Sequence, residues 1–152
     1  MHRGLRARTA LALAAGLVAA LPLTGVAQAG GSPLSTDLTG AEEAPGPGDP
    51  DATGFAALRL NQGKRTVCFD INWADIDGTV SAGHIHEGDA GTAGPVVVTL
   101  FEGAFDGTDE VSDCVTAERS LIKEIRKDPS DYYVNVHSDV FPAGAVRGQL
   151  GD

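Results

Sequence analysis

The run Thr66–Trp73, TVCFDINW, alternates apolar and polar residues without a break. Successive side chains of a strand point to opposite faces, so Val67, Phe69, Ile71 and Trp73 share one face and Cys68, Asp70 and Asn72 the other. A helix would scatter these residues around its axis; a sheet with one covered face sorts them. Phe55–Leu60 precedes the run across the turn-rich link NQGKR, and the two predict a hairpin. Comparable runs lie at Leu34–Gly40, Thr79–His86, Pro95–Phe101, Tyr132–Ser138 and Ala145–Leu150. Pro95 fits the first position of its strand, where no ladder donor is needed. Only Ala117–Asp128 has helical spacing, with Leu121, Ile122 and Ile125 on one side and Pro129 closing it. Short strands separated by glycine, proline and acid, with one short helix, predict an all-β antiparallel sandwich or barrel.

The first residues read as an address. Arg3, Arg6 and Arg8 precede an apolar run broken by Pro22, and Ala27-Gln28-Ala29 fits the small-residue pattern of a signal-peptidase cut. The run is short for a membrane span and none follows, so residues 1–29 are expected to be a signal peptide and 30–152 a secreted domain. The whole chain carries 11 basic and 21 acidic residues, a net charge of −10. Three of the cations and none of the acids lie in the leader, which leaves eight against 21, or −13. A surface of that sign repels nucleic acid and anionic lipid.

Several chemistries find no footing here. No glycine loop carries a phosphate-binding lysine, and no serine sits in a nucleophile elbow. The acidic stretches DPD and EGDAG lack the regular spacing of a calcium loop. Cys68 and Cys114 both fall in the exported part, where oxidation predicts one disulfide; the alternative is two separate buried thiols. The histidines are more telling. His84 and His86, in GHIHEGDAGTAGP, project from one face of a strand with Cα atoms roughly 6.5–7 Å apart, a reach that suits one copper or zinc ion. His137, in YVNVHS, is a third candidate ligand, with water, Glu87 or Asp89 for the fourth position. The competing account is structural: a histidine at a strand end that bonds loop backbone through both nitrogens. Asn135 shares a strand face with His137, and both are expected to anchor the turn DVFPAG. Arg147 is expected to be structural and to pair with a carboxylate.

The segments AGHIHEGDAGTAGPVVVTLF and YYVNVHSDVFPAGAVRGQL, together with LTGAEEAPGP and ATGFAALRL near the start, resemble the chordin-type or CHRD domain. The likeness runs from about Leu34 to Leu150 and is similar in particular to the stand-alone secreted bacterial members. It implies a β-sandwich of immunoglobulin-like or superoxide-dismutase-like type and an extracellular setting. The strand HIHE and the loop after it are also similar, more faintly, to the copper strand of copper/zinc superoxide dismutase, which puts His84 and His86 on two copper ligands. Past Pro95, however, VVVTLF stands where the dismutase carries its bridging and zinc-loop histidines.

These features together predict a non-enzymatic extracellular binding module whose partner is a protein or a cell-surface component. The first alternative is a copper- or zinc-binding protein using His84, His86 and His137. The second is a divergent oxidoreductase of dismutase type.

Overall fold

A computed structural model describes residues 31–151, so the expected leader lies outside the described residues. Eight strands and one helix follow one another: β1 (Ser32–Thr39), β2 (Thr53–Asn61), β3 (Thr66–Ala74), β4 (Val80–Glu87), β5 (Val96–Phe105), β6 (Glu110–Thr116), α1 (Arg119–Lys127), β7 (Tyr132–Ser138) and β8 (Val146–Gln149). All pairings are antiparallel, in the order β5-β4-β7-β8-β1-β2-β3-β6. The two ends of that order, β5 and β6, are consecutive in the chain. A short turn at Asp106–Asp109 therefore draws the edges together, and the sheet curls until it is nearly a barrel.

The curl has a seam. β1 and β8 share one ladder pair, Thr39 with Arg147, whereas β1–β2 and β2–β3 are paired along their whole lengths. Two four-stranded halves, β5-β4-β7-β8 and β1-β2-β3-β6, thus face each other across a common core. Trp73 and Phe69 on β3 meet Phe101 on β5, with ring centroids 5.9 and 6.1 Å apart. Gly83 makes room for this: a Cβ there would run into the Phe101 ring.

The alternation in Thr66–Trp73 does what it predicts: Val67, Phe69, Ile71 and Trp73 are buried and their neighbours are not. The β2–β3 hairpin forms as expected, with Asn61 opposite Thr66 at its turn end. Ile122 and Ile125 of α1 are fully buried, which anchors the helix to the core beside β2. One strand is absent from the sequence expectations. β6, EVSDCVT, is half-covered at best along its length, so its own pattern carries no buried face; it is a strand because β3 pairs with it. Within that pairing Cys68 lies directly opposite Cys114, and the two form the disulfide. It ties an edge strand to the strand it is hydrogen-bonded to.

Candidate metal centre

The site lies on the face of β4 and β7 turned away from the core. Ile85 on β4 and Val134 and Val136 on β7 point inward and are fully buried. By the period of two, His84 and His86 on β4 and Tyr133, Asn135 and His137 on β7 take the other face. β4 and β7 are neighbours, with His84 opposite Asn135 and His86 opposite Tyr133. Register alone therefore brings the three histidines together. One ring nitrogen from each of His84, His86 and His137 lies within 4.8 Å of the others.

A hydrogen bond settles which nitrogen the His86 ring presents. His86 Nδ1 donates to the carbonyl of Gly94 at 2.9 Å, which leaves Nε2 with its lone pair. That Nε2 is buried and has no hydrogen-bond partner among the described residues. His137 Nδ1 faces the carbonyl of Pro142 at 3.2 Å, and its Nε2 faces the side-chain oxygen of Asn135 at 3.0 Å, so a neutral ring donates to one of the two. His84 Nδ1 sits 3.0 Å from that same His137 Nε2. The Gly94 carbonyl thus fixes the His86 tautomer and leaves the Nε2 lone pair on the side of the other two rings. Electrostatics favour the neutral form of His84 and His137. Burial and then the neighbouring His84 push the pKa of His137 down to about 4, although the Pro142 carbonyl opposes the shift. Burial and then His86 lower that of His84. Neutral imidazole is the form that binds a metal.

A second layer holds the first. Tyr133 stacks on the His86 ring, centroids 4.8 Å apart and planes within 9°. Its hydroxyl accepts from the Gly94 amide at 3.1 Å, so one residue both buttresses His86 and positions the carbonyl that orients it. Gly94 must be glycine, since a Cβ would collide with the Glu87 carbonyl. The Arg147 guanidinium lies 3.4 Å from the Tyr133 ring centroid and donates to the carbonyls of Asp89 at 2.8 Å and Thr92 at 2.9 Å. Gln149, one strand repeat away on the same face, donates to the carbonyls of Gly88, Ser130 and Tyr132. These two side chains of β8 bolt the 88–95 loop over the sheet.

Three expectations need correction. Neither Glu87 nor Asp89 joins the cluster: Glu87 follows His86 by one position and so faces the other way, and the carbonyl of Asp89 serves Arg147. Arg147 makes no ion pair among the described residues. Its partners are the Asp89 and Thr92 carbonyls, the side-chain oxygen of Gln149 and the Tyr133 ring, and the Glu43 carboxyl acts on it only from a distance. Of the pair meant to anchor DVFPAG, only His137 does so, through Pro142; Asn135 bonds His137 instead. Tyr133 and Gln149 were legible in part, because they fall on the same strand parity as His137 and Arg147. The carbonyls of Gly94 and Pro142 carry no signal in a side-chain pattern.

The CHRD domain family model matches residues 34–150, and the chain belongs to that family. No curated protein and no solved structure matches it. The fold is all-β, the disulfide is formed, and no helix among the described residues is long and apolar enough to cross a membrane. Family membership marks the chain as an extracellular domain of the kind that binds other molecules.

Proposed function

We propose that this protein is a secreted binding module, exported by its first 29 residues, whose centre is a three-histidine site for one copper or zinc ion. The observation that carries this reading is the buried, unpartnered Nε2 of His86, held within reach of a nitrogen from each of His84 and His137. A buried polar nitrogen with no partner costs about 1–3 kcal/mol, which a bound cation relieves. Imidazole nitrogens suit copper and zinc above the hard cations. His86 and His137 supply Nε2, and His84 supplies the Nδ1 that faces His137. When bound, the ion offers a further coordination position to a ligand from outside the chain, which fits a role in holding an extracellular protein or a cell-surface component.

Calorimetric titration of the dialysed mature protein with Zn(II) and Cu(II) tests this. Saturation at one ion per chain is expected, with loss of binding in the His84→Ala, His86→Ala double variant. Equal uptake by the double variant, or none by the parent, sinks the reading.

A further inference from the structure

The chain is strongly acidic, but its cations are not spread over it. Of the eight that follow the leader, six are Lys64, Arg65, Arg119, Lys123, Arg126 and Lys127. These fall in two short segments, the β2–β3 turn and the helix α1. With Glu118, Glu124 and Asp128 counted against them the two segments carry +3, and the rest of the mature chain carries −16. The fold puts the segments side by side. Arg65 pairs with Glu118, Arg126 donates to Gln62 at 3.3 Å and to Ser32 at 2.7 Å, and Arg119 reaches the Gly63 carbonyl at 3.5 Å. All six cations are exposed. On α1, Arg119, Lys123 and Arg126 are spaced i, i+4 and i+7, so they form one stripe beside the buried face of Ile122 and Ile125.

Helix stability explains part of this stripe and not the rest. Arg126 and Lys127 sit in the last turn, where the helix dipole favours positive charge. Arg119 opens the first turn, where the dipole disfavours it, and that turn holds no acid to compensate. Between the stripe and the turn runs a groove of about 580 Å³ lined by Ser32, Asn61, Gln62, Gly63, Arg119 and Arg126. Its walls combine guanidinium groups with amide and hydroxyl groups, and no aromatic ring lines it.

We infer that this groove binds an acidic polysaccharide bearing carboxylate groups. Guanidinium forks match carboxylates, and the Asn61, Gln62 and Ser32 side chains supply partners for sugar hydroxyls. A nucleic acid fits less well. Single strands call for aromatic platforms, and none lines the groove. The inference rests on neither the histidine site nor a bound metal.

Binding of polygalacturonate, measured in EDTA so that metal bridging is silent, tests it. The parent protein should bind at about 50 mM salt and weaken at least tenfold by about 200 mM, as ion-pair recognition of a polyanion requires. The Arg119→Gln, Lys123→Gln variant spares the Arg126 hydrogen bonds and should lose about tenfold, with thermal unfolding unchanged. An Arg59→Gln control, outside the two segments, should bind like the parent. No binding at low salt, equal binding by the double variant, or tighter binding of DNA than of polygalacturonate each overturns the assignment.

Discussion

His84 Nδ1 and His137 Nε2 face each other at 3.0 Å across β4 and β7, on rings whose pKa values both lie below the ordinary imidazole value. The pair is a neutral contact at pH 7, and acid should break it. His137 titrates at about 4 in the fold and near 6.5 when unfolded. Between those values the unfolded chain binds more protons, so this contribution to stability is complete above pH 6.5 and is lost as pH falls toward 4. The His137 ring resonances of the metal-free protein should accordingly shift with a midpoint near 4; a midpoint at 6.5 contradicts the burial argument.

Glu43 should act with the opposite sign. Burial raises its carboxyl to about 7, partly offset by Arg147, and its Oε1 has no hydrogen-bond partner among the described residues. A carboxyl raised in the fold contributes stability that is full below its unfolded value of 4.5 and is lost as pH rises through 7. Glu43→Gln removes the ionisation. Allowing for partial exposure, it should stabilise the protein by about 1–2 kcal/mol at pH 8 and change little at pH 4. Denaturant melts at the two pH values measure this, and a variant less stable at pH 8 rules it out.

Arg147→Lys keeps the charge and loses the fork. Lysine cannot serve the Asp89 and Thr92 carbonyls and the Tyr133 ring at once, so buried acceptors lose their donor. A loss of about 2–4 kcal/mol in unfolding free energy is expected. Loosening the loop that presents Gly94 to His86 should also weaken Zn(II) about tenfold. Stability falling while metal affinity holds would show that the loop does not orient His86.

Cys68→Ser with Cys114→Ser should cost about 2–4 kcal/mol, because the bond closes a loop across a sequence separation of 46. It lies on β3 and β6, away from the histidine strands, so metal affinity should be unchanged. A titration showing parallel losses of both contradicts that separation.

What could be read in advance follows from where the physics is local. The β3 alternation, the β7 run and the helix stripe depend on each segment's own burial, and they appear in the fold as expected. The pairing of His84 and His86 on one face needs only the strand period. Their meeting with His137 needs β4 to lie beside β7, a fact of sheet order that no single segment holds. β6 differs for a related reason: only Val111 and Val115 are partly covered, with the exposed Asp113 between them, so no buried alternation shows. Arg147 shows the reverse error. Its charge suggested an acid partner, but a buried guanidinium with five donors is served as well by carbonyls, which every residue supplies.

The single-pair join between β1 and β8 has a bearing on how the molecule comes apart. The histidines belong to one four-stranded half and the disulfide to the other. The proposed ion and the disulfide would therefore brace different halves, and neither would span the join; the halves meet through the common core, in which Trp73 and Phe69 contact Phe101. A chelator slackens one side and a reductant the other. Amide exchange should then quicken first in β4 and β7 under the former and in β6 under the latter, with the aromatic layer as the last to yield.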